Sequence, residues 1–324
     1  MTIFLTDADV RAAFGWREAV AALRAAYSAP PDEARFPPRT MARGEGLWLR
    51  TLSGVPGDGA PMGAKLIAAS PRGRRASYLI PLFDQDTVDL LALLDGNAIT
   101  GFRTAATSAL AADALTPAGP VAVGVIGSGF EAQHHVRALA AIRELSSVTV
   151  FSPSPAGRTR FTHQLADLEL PLETADSAAA AVEGAGLVLC AARSRDERPT
   201  LSAVPPGATV VSIGSTLPEQ RELGTEIVEQ AALIVADQVH EVAYETGDLI
   251  AAKEAGVGFA GKLVPLAGVI SGRIQGRSNP EAIVVYKSVG SAVQDLAVAA
   301  MCVRRAAELS LGTELPVTIT PVAK

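Results

Sequence analysis

The stretch that decides the fold is Val121-Ala122-Val123-Gly124-Val125-Ile126-Gly127-Ser128-Gly129-Phe130-Glu131-Ala132. An apolar run of strand length is followed by Gly-x-Gly-x-x-Ala and then by an Ala-rich helical segment, which is the order of a dinucleotide-binding fingerprint. Gly127 permits the tight turn, Gly129 lets the backbone approach a pyrophosphate, and Ala132 allows close packing of helix on sheet. The start of that helix offers free N–H groups and the positive end of its dipole. We therefore predict a dinucleotide site formed by Gly127, Ser128, Gly129, Phe130, Glu131 and Ala132.

Downstream of this stretch the sequence alternates between strands and helices, which is typical of a parallel sheet. The predicted strands are 121–126, 147–151, 187–191, 209–213 and 232–236. The sequence therefore predicts an α/β fold with a Rossmann-type, doubly wound parallel sheet.

Upstream of it the pattern is different. Thr6 and Asp9 form a predicted capping box, which begins a helical stretch that runs to about Ser28. Strand-like runs within residues 47–94, separated by Gly, Pro and Asp clusters, predict an antiparallel meander. A helix is predicted at 100–115.

One further long helix is predicted near the end of the chain, at 288–309. Because it follows the Rossmann unit, we expect it to return to the N-terminal domain. The domains are therefore predicted as a discontinuous α+β domain of residues 1–116 and 290–324, and a Rossmann domain of residues 117–289.

The end of the second parallel strand, at Phe151, bears on the choice of nucleotide. NAD-specific sites usually place an Asp or Glu there to bind both ribose hydroxyls. Here the chain continues as Ser152-Pro153-Ser154-Pro155, and Arg158 follows shortly after. Hydroxyls and a cation suit a 2′-phosphate, so we predict NADP, with NAD as the second choice. The alternative is that Ser152 and Ser154 cap the next helix and that Arg158 lies on the surface.

The composition argues against several classes of function. The 324 residues carry a net charge of −6 and contain no basic block that could neutralise nucleic-acid phosphates. The sequence has no apolar run of the roughly 20 residues that span a bilayer, and no signal peptide is recognisable. Cys190 and Cys302 are isolated thiols, which suits a reducing cytoplasm. Adjacent His134 and His135 lie on different faces of one helix, so no metal site is predicted. We expect a cytoplasmic protein that binds neither nucleic acid nor membrane.

A second motif lies directly before the fingerprint, Leu94-Asp95-Gly96-Asn97-Ala98-Ile99-Thr100-Gly101-Phe102-Arg103-Thr104-Ala105-Ala106-Thr107-Ser108-Ala109. An arginine in this place is unusual for a Rossmann protein. Together with the fingerprint, with 245–249 (Glu-Thr-Gly-Asp-Leu) and with 286–296, this motif resembles the ornithine cyclodeaminase/μ-crystallin family. The resemblance covers nearly the whole chain, and it implies a homodimer whose interface lies in the discontinuous domain.

The resemblance also implies a substrate site in the N-terminal lobe, with cations at Arg39, Lys65 and Arg103. Arg39 would hold a substrate carboxylate through its planar fork. Lys65 would transfer a proton, because burial beside arginines lowers the pKa of a lysine. Arg103, followed by Thr104, would reach the cofactor's pyrophosphate. The alternative for each cation is a solvated surface group. Arg50 departs from the family, where an apolar residue is common, and is either a second anionic contact or a solvent-facing side chain.

Glu226 bears on the branch of the family. Cyclodeaminases of the family carry an Asp after the fourth Rossmann strand, which activates the water that displaces ammonia, whereas Glu226 is similar to the μ-crystallin and reductase branch. It would hydrogen-bond the amine or order a water, unless it is only a surface helix residue. We therefore expect an NAD(P)H-dependent reductase of imines or imino acids, acting on a small-molecule imine or amino acid. The alternatives are an NAD-dependent ornithine-type cyclodeaminase that releases ammonia, and a protein that only binds its ligand.

Overall fold

The computed structural model describes residues 2–30, 32–57, 59–192, 202–316 and 319–322. The chain divides into two compact units, Met1–Arg103 with Ser291–Lys324, and Thr104–Gly290. Among the described residues the strands are β1 Ile3–Leu5, β2 Thr40–Gly44, β3 Leu47–Gly54, β4 Met62–Ser70, β5 Arg75–Phe83, β6 Leu90–Asp95, β7 Val121–Ile126, β8 Leu145–Phe151, β9 Leu172–Thr174, β10 Leu187–Cys190, β11 Thr209–Ser212, β12 Leu233–Ala236, β13 Leu263–Pro265, β14 Val284–Lys287 and β15 Thr313–Glu314. The α-helices are α1 Asp7–Ala13, α2 Trp16–Ser28, α3 Asn97–Leu115, α4 Phe130–Ile142, α5 Pro155–Gln164, α6 Ala178–Val182, α7 Thr225–Gln230, α8 Val239–Glu245, α9 Gly247–Glu254, α10 Leu266–Ile270 and α11 Ala292–Glu308.

The first unit is built on a seven-stranded sheet in the order β15-β1-β6-β5-β4-β3-β2. The strands from β2 to β6 pair antiparallel in chain order, as the predicted meander requires, and β1 adds to β6 in parallel. Helix α11 packs against α2 and against β3, β4 and β5. Glycines on the sheet let α11 come close, since a Cβ added at Gly54 would lie 3.1 Å from the Leu296 side chain. The predicted capping box at Thr6 and Asp9 is present at the start of α1.

The second unit contains an eight-stranded sheet in the order β13-β12-β14-β11-β10-β7-β8-β9, and every pair in it is parallel. Strands β10, β11 and β14 are buried along their whole length, which is the pattern of a parallel sheet covered on both faces. The predicted α/β class and Rossmann-type sheet are confirmed. The unit boundary falls inside α3, whereas the sequence-based boundary assigns that helix to the first domain.

Two features near the end of the chain differ from the expectation. Val284–Lys287 forms β14, a strand that the sequence analysis did not predict, between β11 and β12. The last helix begins at Ala292 instead of residue 288. The backbone N–H groups of Val289 and Gly290 donate to the Asp237 carboxylate at 3.0 and 2.8 Å, and Gly290 has a φ of +84°. The left-handed backbone at Gly290 and the hydrogen bonds to Asp237 are not those of a helix, so α11 begins only after Gly290.

None of the described helices combines the length and the apolar character that crossing a membrane requires.

Candidate active site

The glycine turn after β7 has the geometry of a pyrophosphate cradle. Gly127 has a φ of +114°, and an added Cβ there would lie 2.7 Å from the backbone oxygen of Ala191. Gly129 is the N-cap of α4, its Cβ position has no described atom within 4 Å, and no described side chain caps the helix. The first amides of α4 are therefore available to an anion. The residues present fit a dinucleotide, because the turn is closely packed at Gly127 and leaves open space at Gly129, where a phosphate would approach.

The other predicted residues of the fingerprint lie around this turn. Phe130 is 45 % exposed, and its ring centroid lies 3.9 Å from that of His134, one turn along α4. Glu131 lies in the first turn of α4, and Ala132 is fully buried beneath it. Thr104 lies half-buried on α3. The contacts of these residues with a cofactor stay predictions.

Ser152, Ser154 and Arg158 lie where β8 passes into α5, and the structure gives each a local partner. The Ser152 hydroxyl lies 2.9 Å from that of Ser128, which joins the strand end to the glycine turn. Ser154 caps α5 by accepting from the Gly157 N–H at 3.0 Å, the alternative that the sequence left open. Arg158 donates to the Ser152 carbonyl at 2.6 Å. A guanidinium is thus held beside the strand end where a ribose 2′-substituent would lie in a Rossmann site.

Glu226 is exposed in the first turn of α7, and no hydrogen bond to its carboxylate is found among the described residues. The role stays a prediction. Two of the buried acids of the same unit are Glu222 and Asp248. Glu222 accepts from the Gly214 N–H at 2.7 Å, and Asp248 accepts from the Lys287 ammonium at 2.7 Å. These contacts connect the ends of β11 and β14, which indicates a structural role for both acids.

In the first unit, Lys65 and Arg103 meet at a buried carboxylate that the sequence analysis did not identify. The Lys65 ammonium lies 2.7 Å from Oδ1 of Asp295, and Nε of Arg103 lies 2.9 Å from the same oxygen. Asp295 is fully buried, Lys65 is 1 % exposed and Arg103 is 6 % exposed. Lys65 comes from β4, Arg103 from α3 and Asp295 from α11, so three elements converge on one carboxylate oxygen.

The environment of Lys65 makes its ammonium easier to deprotonate. Burial is the largest cause and lowers the pKa of Lys65 from 10.5 to about 8. The Asp295 carboxylate raises this pKa, whereas the positive charges of Arg103 and Arg50 lower it. The predicted burial of Lys65 beside arginines is present, and a pKa near 8 suits a group that exchanges a proton near neutral pH.

A chain of hydrogen bonds extends this cluster toward α2. The Gln294 side-chain oxygen accepts from the Arg103 guanidinium at 2.5 Å, and its amide donates to the Tyr27 hydroxyl at 2.9 Å. Gln294 is fully buried. Arg103 is therefore fixed by two side chains of α11, and its predicted contact with a pyrophosphate stays a prediction.

Arg50 lies on the same face of the sheet as Lys65. Directly paired residues share a face, and the register pairs Lys65 with Leu52 and Arg50 with residue 67, so Lys65 and Arg50 are diagonal neighbours. Arg50 is also paired with Met41 of β2. Arg39 lies one residue before β2 begins, so no strand register places its side chain, and its role stays a prediction. We call the group Arg50, Lys65, Arg103 and Asp295 the cationic face.

The comparison with known proteins identifies the family. The profile of the ornithine cyclodeaminase/mu-crystallin family matches residues 56–310. The chain belongs to this family. It is 30 % identical over 218 residues to the ketimine reductase mu-crystallin of Mus musculus, covering 67 % of this chain and 66 % of the relative. It is 27 % identical over 236 residues to the iminosuccinate reductase of Paracoccus denitrificans, covering 73 % and 72 %.

A solved structure agrees with these relatives. The Delta(1)-pyrroline-2-carboxylate reductase of Thermococcus litoralis, in complex with NADH and L-proline, superposes with a TM-score of 0.87 at 25 % identity. The match covers 97 % of this chain and 100 % of that one. The predicted family and the prediction of an oxidoreductase are confirmed.

Proposed function

We propose that the protein is an NAD(P)H-dependent reductase of imino acids. The observation that carries the proposal is the buried Lys65–Asp295 pair, with Arg50 beside Lys65 on the same sheet face. A proton donor of lowered pKa beside a guanidinium meets the two needs of an imino acid, which are protonation at nitrogen and binding of a carboxylate. The reductases among its relatives support the same reaction class.

Each residue has a defined part in this reaction. Arg39 binds the substrate carboxylate through two parallel N–H···O bonds and so fixes the imine carbon. When bound, the reduced nicotinamide supplies the hydride that the imine carbon accepts. The imine nitrogen takes a proton from the Lys65 ammonium, so that C=N becomes CH–NH. Lys65 is left neutral and regains its proton from solvent. Asp295 holds the Lys65 ammonium in place through the 2.7 Å contact.

We propose NADP as the cofactor, with NAD as the second choice. Arg158 and the hydroxyl of Ser152 lie at the end of β8, and both are suited to a 2′-phosphate. The NADH in the Thermococcus litoralis complex supports NAD as the second choice. Cofactor preference is measured directly as the ratio of kcat/KM with NADPH and with NADH.

We further propose a homodimer located in the cytoplasm. Leu47 and Leu49, which are 57 % and 46 % exposed, and Leu79, at 38 %, lie on the sheet face opposite Lys65. Exposed leucines on one sheet face are the kind of surface that a second copy covers. Cys190 and Cys302 are unpaired and buried, which suits a reducing compartment. Light scattering of the purified protein tests the dimer.

The reductase is tested against a cyclodeaminase in one set of assays. Oxidation of NADPH and NADH is followed with a panel of cyclic and linear imino acids, and ammonia is measured in parallel with ornithine and NAD⁺. We expect cofactor oxidation with at least one imine, and little turnover in a Lys65→Met variant that still binds the dinucleotide. Ammonia release without net cofactor change would instead identify the ornithine-type cyclodeaminase. Dinucleotide binding with no turnover in either assay would identify a binding protein.

A further inference from the structure

Four strands of the parallel sheet end in register with one another. Ile126, the last residue of β7, is paired with Cys190 at the end of β10, and Cys190 is paired with Ser212 at the end of β11. Ser212 is paired in turn with Lys287 at the end of β14. The glycine turn begins at Gly127, directly after β7. The residues that follow β10 and β11 therefore leave the sheet at the same edge as the glycine turn, which is the edge where Rossmann sheets bind their ligands.

The carboxylate of Glu222 connects the two segments that follow β10 and β11. Its Oε1 accepts from the Ala192 N–H at 2.6 Å, and its Oε2 accepts from the Gly214 N–H at 2.7 Å and from the Ser212 hydroxyl at 2.9 Å. Glu222 is 2 % exposed. Because each oxygen binds the backbone of a different segment, the position of both segments depends on this one side chain.

One of these segments lies directly beside the glycine turn. A Cβ added at Gly127 would lie 2.7 Å from the backbone oxygen of Ala191 and 3.2 Å from the backbone nitrogen of Ala192. That nitrogen is the donor to Oε1 of Glu222. Glu222 therefore acts on the backbone against which the turn packs.

Glu222 is itself fixed by a closed ring of buried polar groups. Its own backbone N–H donates to Oδ1 of Asp248 at 2.8 Å, and Oδ2 of Asp248 accepts from the Lys287 ammonium at 2.7 Å. The same ammonium donates to the Ser212 hydroxyl at 2.7 Å, and that hydroxyl donates to Glu222. Asp248, Lys287 and Ser212 are each at most 1 % exposed. The ring restricts Glu222 to one position, and its single ammonium partly balances the charge of the two carboxylates.

The strand order assigns the two segments to one half of the cofactor. In a Rossmann sheet the dinucleotide lies across the crevice where the strand order reverses, and here the reversal lies between β7 and β10. The ribose of the adenosine half would lie at the end of β8, on one side of the glycine turn. The nicotinamide half would therefore lie on the other side, over the ends of β10 and β11.

We propose that Glu222 is a positioning residue for the nicotinamide half of the dinucleotide, because its carboxylate holds the segments after β10 and β11 in the arrangement that this half requires. Glu222 acts through the backbone of Ala192 and Gly214 and takes no part in hydride or proton transfer. The inference rests on the dinucleotide site of the proposed function, and it does not depend on which substrate is reduced.

The test separates the two halves of the cofactor. Dissociation constants are measured by calorimetry for NADPH and for 2′,5′-ADP, which carries the adenosine half alone. NADH and AMP are used in the same way if wild type prefers NADH. The proteins are wild type, Glu222→Gln, Ser212→Ala and Glu229→Gln. Glu229 is the matched control, because it is an exposed glutamate on α7 of the same unit.

We expect Glu222→Gln to weaken NADPH binding by about 10- to 100-fold, the range for hydrogen bonds to a charged group, and to leave 2′,5′-ADP binding unchanged. A Gln side chain has one oxygen and one NH2 group, so at least one of the N–H groups of Ala192 and Gly214 loses its acceptor. Ser212→Ala removes one hydroxyl from the ring and should weaken NADPH binding by about 2- to 10-fold, again without an effect on 2′,5′-ADP. Glu229→Gln should bind both ligands as wild type does.

Equal losses for NADPH and 2′,5′-ADP in Glu222→Gln would overturn the inference, because the carboxylate would then support the whole unit and not one half of the site. Unchanged NADPH binding would overturn it as well. If urea unfolding shows that Glu222→Gln does not fold, Ser212→Ala decides by the same criteria.

Failure of the reductase gives a different result. In that case the four proteins would show the expected pattern of NADPH and 2′,5′-ADP binding, and wild type would reduce no imine. If wild type binds neither NADPH nor NADH, both the inference and the proposed function are wrong.

Discussion

Asp295→Asn removes the carboxylate that Lys65 and Arg103 share and keeps the size of the side chain. In the wild-type protein both cations contact Oδ1, at 2.7 and 2.9 Å, and Asp295 is fully buried. The variant therefore leaves two buried cations with an amide in place of their counter-charge. Breaking a buried pair by removing one partner typically costs about 3–5 kcal/mol of stability while the remaining groups stay charged. Lys65 can lessen that cost by losing its proton.

The expected effect on catalysis follows from the pKa of Lys65. The wild-type value is about 8, with Asp295 raising it against burial, Arg103 and Arg50. A nearby opposite charge commonly shifts a pKa by about 1–3 units, so the pKa of Lys65 in the variant should fall by about that much. The fraction of Lys65 that carries its proton at pH 7 would then drop from about nine-tenths to between about one-half and one-hundredth. Imine reduction at pH 7 should therefore slow by about 2- to 100-fold.

The assay is the pH profile of kcat/KM for imine reduction in wild type, Asp295→Asn and Asp295→Glu. Because the protonated form of Lys65 is the donor, activity should decline as pH rises through its pKa. That decline should move to lower pH in Asp295→Asn and return toward wild type in Asp295→Glu. A Lys65→Met variant identifies any decline that belongs to the substrate itself, and urea unfolding confirms that each variant is folded. A decline at the wild-type pH in Asp295→Asn, or one shifted upward, would refute the assignment of Asp295 as the group that sets the proton affinity of Lys65.

Four other changes have defined outcomes. The pKa of Lys65 is about 8 in the folded protein and 10.5 as the ordinary value, so the unfolded chain binds more protons than the folded protein between those pH values. The free energy of unfolding of wild type, relative to that of Lys65→Met, should therefore increase by about 3 kcal/mol as the pH rises through that window. Urea unfolding at stepped pH measures this increase. Gly127→Ala should cost about 1–3 kcal/mol in the same unfolding assay, because it adds a Cβ at a φ of +114°. Gly129→Val should lower the free energy of unfolding by about 1 kcal/mol, because Val is a poorer N-cap than Gly, and should weaken NADPH binding at least tenfold in fluorescence titration, because its side chain would enter the open space at the start of α4. Arg158→Leu should lower the NADPH to NADH ratio of kcat/KM by about tenfold, the value of one charge-assisted contact, and an unchanged ratio would remove Arg158 from the 2′-phosphate site.

The parts of the fold that were predicted are those with strong local signals. The glycine turn at 127–132 fixes a strand before it and a helix after it, and the capping box at Thr6 marks a helix start on its own. β14 was missed although Val284, Val285 and Tyr286 are of types that favour strands, and although it is no shorter than β10, β11 and β12, which were predicted. The late start of α11 depends on Asp237, a residue more than fifty positions away in the chain. Only the second feature depends on a residue outside its own segment.

The same distinction holds for the candidate site. Lys65 and Arg103 could be predicted because each lies in a recognisable motif, and their burial supports that interpretation. Asp295 is separated from Lys65 by 230 residues, so no spacing rule connects them. A signal was nevertheless present. Asp295 lies on α11 among buried neighbours such as Leu296 and Ala299, and a carboxylate on the apolar face of a helix is expected to have a buried cationic partner.

The charge of Lys65 connects the proposed substrate with the proposed proton transfer. Burial, Arg103 and Arg50 lower the pKa of Lys65, and Asp295 alone among the named causes raises it. A substrate carboxylate bound at Arg39 would add negative charge to the site and so raise this pKa. A bound imino acid would therefore keep Lys65 protonated at the moment when the imine nitrogen needs its proton. Because such linkage is reciprocal, protonated Lys65 would in turn strengthen binding of the substrate carboxylate.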